Sequence, residues 1–127
     1  MGASLDTLMI DVSDMNRVVS FYRDVVGLPL EMESPGWSSF SLGGGASLGL
    51  HGGRMTGGEQ RKGWVPGLRV DDIRAARDRV AGGGGSIAGE YHDIPGGVIL
   101  DLADPEGNVF EVIQHGITCA DLGVKSS

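Results

Sequence analysis

The chain has a single cysteine, Cys119, among 127 residues. No disulfide can close within it, and a reducing compartment suits it better than an oxidising one. No apolar run approaches the length of a membrane span. The opening Met-Gly-Ala-Ser-Leu-Asp has neither the basic run nor the apolar stretch of a secretion signal, so a cytoplasmic location is expected. Asp6 stands where an N-terminal acylation motif requires Ser or Thr. Positive charge is also short, with 10 basic against 17 acidic residues and a net charge of -7. Such a surface repels phosphate backbones and anionic lipid, which excludes nucleic acid and membrane as natural partners and favours the arrival of cationic small molecules. Aromatic residues make up only 6%, and the two tryptophans, Trp37 and Trp64, therefore stand out.

What is abundant is glycine, 23 residues, placed between apolar stretches rather than in repeats, so it reads as punctuation and not as disorder. Leu8, Ile10 and Val12 alternate with Thr7, Met9 and Asp11 as in a strand with two different faces. Asp14 then caps a helix carried by Met15, Val18, Val19, Tyr22 and Val25 or Val26, and Gly27 stops it. Strands are expected at about 28–33, 37–42 and 46–51, with Ser34-Pro35-Gly36 and Gly43-Gly44-Gly45 as turns. Residues 52–63 are polar and glycine-bearing and read as a linker.

The same order then returns. A strand is expected over 64–70, a helix capped by Asp71 or Asp72 follows through Ile73, Ala76, Arg77 and Val80 to Gly82, and further strands fit 86–89, 98–103 and 108–114. Ile10-Asp11-Val12-Ser13-Asp14-Met15 lies over Leu68-Arg69-Val70-Asp71-Asp72-Ile73 at an offset of 58 residues, 70 minus 12. Two βαβββ modules, about 5–51 and 64–115, with a tail over 116–127, make one α+β domain. A chain of this size buries roughly two-thirds of its unfolded surface, enough for a single domain.

Val12-Ser13-Asp14 leading through a helix to Phe21-Tyr22-Arg23-Asp24 and Gly27-Leu28, together with Asp104-Pro105-Glu106-Gly107-Asn108 before Phe110-Glu111, resembles the vicinal oxygen chelate superfamily. That group includes glyoxalase I, extradiol dioxygenases, fosfomycin-resistance enzymes and bleomycin-binding proteins. The resemblance covers nearly all of residues 5–115. It implies a pseudo-symmetric open β cup and, in many members, a homodimer. In catalytic members a divalent metal sits in the cup, held from the first and last strand of each module. Carried over strand by strand, those positions are Thr7, Gly49, Val65 and Glu111, of which only Glu111 is a good donor. A zinc or transition-metal site needs three or four nitrogen, sulfur or carboxylate donors.

Parity extends this reading. If position 49 faces the cup, then Ser47, His51, Thr7, Met9, Asp11, Trp37, Ser39, Ser41, Val109, Glu111 and Ile113 share that face, while Leu8, Ile10, Val12, Phe40, Leu42, Leu48, Leu50, Phe110 and Val112 pack under the helices. Losing metal ligands to Gly49 and Val65 also leaves room for something bulkier than a metal-chelated metabolite. Expected ligand-lining residues are Thr7, Met9, Asp11, Trp37, Ser39, His51, Trp64, Arg69, His92 and Glu111. Trp37 and Trp64 could sandwich a flat ring, Arg69 could pair with Glu111, and Asp101 adds to the acidity.

These residues point first to a metal-free protein that binds and sequesters a bulky aromatic or cationic natural product, in the manner of antibiotic resistance, without a cofactor. The alternative is an enzyme. It would be a glyoxalase-like lyase, isomerase or dioxygenase with zinc, iron, nickel or manganese in a rearranged site using His51, Glu111 and His92 or Asp11. It could equally be a metal-free biosynthetic enzyme using His51 and Glu111 as acid and base. A regulatory ligand-binding domain would keep the same residues. Glu111 alone could be a plain polar contact, and His92 and His115 could be ordinary surface histidines.

Overall fold

A computed structural model describes residues 2–52 and 63–127; most of the expected linker lies outside them. The chain divides into two compact units, one of Asp6–Val65 and one of Met1–Leu5 with Pro66–Ser127. No helix among the described residues is long and apolar enough to cross a membrane.

The first unit is built on β1 (Ser4–Val12), α1 (Met15–Ser20), β2 (Leu30–Met32), β3 (Trp37–Gly43) and β4 (Ala46–Gly52). β1 pairs in parallel with β4, β4 antiparallel with β3, and β3 antiparallel with β2. Asp14 caps α1 by accepting a hydrogen bond from Arg17 N at 3.2 Å. The single helix expected to reach Val25 or Val26 is corrected: α1 ends at Ser20, and a π-helical segment, Phe21–Val26, takes over. The wider turn breaks the 3.6-residue period, and Val25, 73% exposed, and Val26 point to solvent instead of the core. Gly27 closes the segment at φ 86°, with Gly27 N and Leu28 N both bonded to the Tyr22 carbonyl.

Alternation sorts the sheet's two faces. Val12, Phe40, Leu48 and Leu50 are buried against Val19, with Leu8, Ile10, Met15, Val18, Tyr22 and Leu28 packed around them. Leu42, expected in this core, is exposed, because it lies at the end of β3 beside the Gly43–Gly45 turn.

The second unit holds β5 (Val65–Arg69), α2 (Ile73–Gly82), β6 (Ser86–Ile87), β7 (His92–Ile94), β8 (Gly97–Ala103) and β9 (Val109–His115). β5 pairs in parallel with β9, and β8 antiparallel with β9, β6 and β7. Asp72 accepts from Ala75 N at 3.1 Å and Gln114 Oε1 from Ile73 N at 2.9 Å, so the first turn of α2 is satisfied from two sides. β7 is a strand that the sequence reading lacked. Ile73, Val98, Leu100, Leu102 and Val112 form the core, and Cys119 from the C-terminal segment is buried with them. Ile117, Leu122 and Val124 pack against the same cluster, so the tail is a wall of this core.

Candidate functional site

The register of the first unit arranges its cup face in three rows that run across β1, β4 and β3. They are Thr7, Ser47 and Ser41; Met9, Gly49 and Ser39; and Asp11, His51 and Trp37. Paired residues on neighbouring strands point to the same side of a sheet. Thr7, Met9, Asp11 and Ser39 are all buried. Ser47 donates to Glu31 Oε1 at 2.8 Å, drawing β2 into the polar end of the face.

Trp37 defines the middle of this surface. A Cβ added at Gly49 would lie 2.2 Å from Trp37 Cη2 and 2.6 Å from Cζ2, so the indole fills the space in which a side chain at position 49 would stand. The room expected there for a ligand is therefore taken by the protein itself. The ring is half-buried and forms a floor.

A short turn holds Trp37 in place. Ser34 Oγ donates to the Trp37 carbonyl at 2.7 Å and accepts from Trp37 N at 3.1 Å, and Ser38 Oγ donates to Ser34 O at 3.2 Å. Gly52 N binds Gly36 O at 2.9 Å, and Pro35 O occupies the place of a Gly52 side chain. Ser34 and Ser38 were not among the expected site residues. Their signal was the Ser-Pro-Gly-Trp run, whose turn chemistry also implies side-chain bonds to the local backbone.

Asp11 and His51 meet at the end of the face. The Asp11 carboxylate is fully buried, the His51 ring is 33% exposed, and Asp11 Oδ1 lies 3.8 Å from His51 Nδ1. That exceeds hydrogen-bond length, so this contact is electrostatic and depends on a protonated imidazole. The buried His51 Nδ1 makes no hydrogen bond. Trp37 meets the imidazole edge-on, ring centroids 6.5 Å apart.

Trp64 is not Trp37's counterpart. It is exposed and packs edge-on against Tyr22 at 6.5 Å, and Tyr22 belongs to the helix-side cluster. Alternation explains the correction, since Val65 is buried and its neighbour must point the other way.

In the second unit Glu111 is buried, with Gly67 as its parallel neighbour and Asp101 directly across on β8. Arg69 pairs with Ile113, which places it on the same face as Glu111, one alternation along. His92 does not join this group through its Nδ1, which lies 2.6 Å from Ser127 O and ties β7 to the C-terminal segment.

The donors at the four positions that the resemblance implies do not fit a metal. Thr7 is a hydroxyl, Gly49 has no side chain and its space is filled, Val65 is apolar, and only Glu111 is a carboxylate. Among the described residues no three His, Cys, Asp or Glu side chains gather as a metal site requires.

The two βαβ-based units define an α+β protein of the vicinal oxygen chelate fold. Residues 7–113 match the profile of the glyoxalase-like domain. The chain belongs to that family, which includes enzymes. It is 30% identical to the lactoylglutathione lyase of Haemophilus influenzae, over 91% of this chain and 95% of that one. A glyoxalase/bleomycin resistance protein/dioxygenase superfamily member from Vibrio splendidus shares the fold at TM-score 0.61 and 22% identity, over 90% of this chain and 99% of that one. A Mn(II)-bound glyoxalase from Novosphingobium aromaticivorans does so at TM-score 0.63 and 23% identity, over 88% of this chain and 38% of the other.

Proposed function

We propose that this chain is a metal-free small-molecule-binding protein that holds a bulky aromatic or cationic compound on the face formed by Asp11, Trp37, Ser39 and His51. The observation that carries this reading is the indole over Gly49. It replaces a metal-ligand position with an aromatic floor, onto which a flat or cationic group binds by stacking and cation–π attraction. The buried Asp11 carboxylate and the chain's net charge of -7 favour a cationic ligand. Sequestration of a natural product is the biological role that fits binding without turnover. We further propose a homodimer, for which exposed Phe21, Val25, Val26, Leu30 and Met32, with the outer edge of β2, offer a surface that a second copy would cover.

A glyoxalase-like lyase is the second reading, favoured by the 30% identity to a lactoylglutathione lyase. One experiment separates the two. The Trp64→Phe variant, which leaves Trp37 as the only indole, is titrated with proflavine, a flat cation. In parallel the unmodified protein is assayed for metal content and for turnover of the methylglyoxal–glutathione hemithioacetal with zinc, nickel, iron and manganese. Saturable quenching that disappears with His51→Ala, without metal-dependent turnover, supports the binding protein. Near-stoichiometric metal that is lost in a His51→Ala, Glu111→Ala variant, together with turnover, overturns it.

A further inference from the structure

β2 meets β3 out of step. Leu30 pairs with Phe40 and Met32 with Ser39, so two residues of β2 answer one step of β3, and Glu31 is the extra residue. A bulge of this kind re-aims the side chain that it inserts. β3 lies between β2 and β4, yet the Glu31 carboxylate accepts from Ser47 Oγ on β4 at 2.8 Å. The carboxylate therefore lies over the cup face, across β3, and not beyond its edge.

The hydrogen bonds at this end of the face run one way. A carboxylate only accepts, so Ser47 gives its proton to Glu31, and Thr7 gives its own to Asp6 Oδ2 at 3.1 Å. Neither hydroxyl has a proton left for a ligand. Ser41, the third hydroxyl of the row, accepts from Gly43 N at 3.2 Å and keeps one to donate. Among the described residues no lysine or arginine pairs with Glu31, whose carboxylate has the bond from Ser47 and lone pairs to spare. A group that fits beside it brings donors and positive charge.

The indole sets the reach. Trp37 fills the space over Gly49, and Ser47 lies two residues along the same strand on the same face, roughly 6.5 Å away. From a ring stacked on Trp37, an arm of about four carbons spans that distance at ordinary single-bond lengths.

We propose that Glu31 is a specificity-determining residue of the Trp37 face: among flat aromatic compounds it favours those that carry an ammonium on a short flexible arm. This rests on the reading of that face as a ligand surface, and it narrows the ligand to a two-part molecule. An anionic arm would be repelled by Glu31, and an alkyl arm would gain nothing from it.

Two acridines with the same ring test the proposal, one with an ammonium at the end of a four-carbon arm on the 9-amino nitrogen and one with a methyl in its place. Binding to the full chain is followed by the anisotropy of the acridine's own emission. The ammonium-armed compound should bind about threefold tighter or more, as for an exposed ion pair. Glu31→Gln keeps an oxygen to accept from Ser47 and should erase that preference, while the methyl-armed compound binds both proteins alike. The preference should also shrink between about 50 mM and about 500 mM salt. Equal binding of the two compounds to the unmodified protein, or a preference that survives Glu31→Gln, overturns the assignment of Glu31 and leaves the Trp37 face standing. Failure of both compounds to bind overturns the reading of the face, and this proposal with it.

Discussion

Trp37 and Gly49 lie diagonally across β3 and β4, two residues apart in register, and the indole of the first occupies the side-chain space of the second. Gly49→Ala therefore has to push the far end of the ring outward, and its new carbon also lies 3.0 Å from Thr7 Cγ2. The expected cost is about 1–3 kcal/mol, as for other overpacked sites. The fluorescence of Trp37 should shift to the red as the ring gains water. In a Trp37→Ala background the same substitution should cost less, because only the Thr7 methyl is left in its way. Additive effects in a urea-denaturation cycle would mean that the two residues do not share this space.

Cys119 should be almost inert. Burial pushes its thiol pKa up, and the neighbouring Asp93 carboxylate, which accepts from Cys119 N at 2.8 Å, pushes the same way. A thiolate-specific reagent has to wait for a local opening, and an opening that costs about 3 kcal/mol already slows labelling about a hundredfold relative to the unfolded chain. The sign for stability follows from the raised folded value. The unfolded thiol ionises near pH 8.5, so the contribution of Cys119 is complete below that pH and is lost as pH rises through the folded value. Cys119→Ser melts compared from pH 7 to 10 would show it: the variant's deficit should shrink on the alkaline side.

Asp104 stabilises the turn before β9. Its carboxylate accepts from Asn108 Nδ2 at 2.9 Å, Asn108 N at 3.0 Å and Glu106 N at 2.8 Å, and Gly107 adopts φ 86°. The Asn108 side chain, then the backbone donors, hold the pKa below the usual aspartate range. A lowered folded pKa means that the contribution is present above the unfolded value near pH 3.9 and lost as pH falls through the folded one. Asp104→Ala should lower Tm at neutral pH, and the gap to the unmodified protein should close in acid. A gap of constant size from pH 7 to 2 would assign the effect to something other than the carboxylate.

The proposed dimer has its own variant. Val25→Glu with Met32→Glu places two charges in the exposed apolar surface without touching either core. If a second copy covers that surface, each change should weaken association by about 2 kcal/mol or more, and sedimentation should show monomer at micromolar concentration. An unchanged dimer would place the interface elsewhere.

Most of the fold was legible because it depends on period and punctuation. Alternation at residues 7–12 and 46–51 sorts the first sheet's two faces, with Val12, Leu48 and Leu50 buried on the helix side and Leu8 and Ile10 half-buried beside them. What escaped depends on geometry that a one-dimensional pattern does not carry. The residues of 21–26 keep helical spacing in sequence, but a π-helical segment changes the angle between them and turns Val25 and Val26 outward. Gly49 reads as a gap, and only the lean of the Trp37 ring along its strand shows that the gap is filled. Residue type draws Trp64 and His92 toward the cup while the parity of Trp64 against Val65 already points the other way; Trp64 packs on Tyr22 and His92 binds Ser127.

The two cores differ in when they can close during synthesis. Every residue of the cluster around Phe40 precedes residue 51, so that module can condense as soon as that stretch has emerged. The cluster around Leu100 must wait for Ile117, Cys119, Leu122 and Val124. Until they arrive, Val98, Leu100 and Leu102 on β8 have no lid on one side and form a sticky strand in the nascent chain. A chain cut short before residue 117 would leave that side of the β8 cluster uncovered.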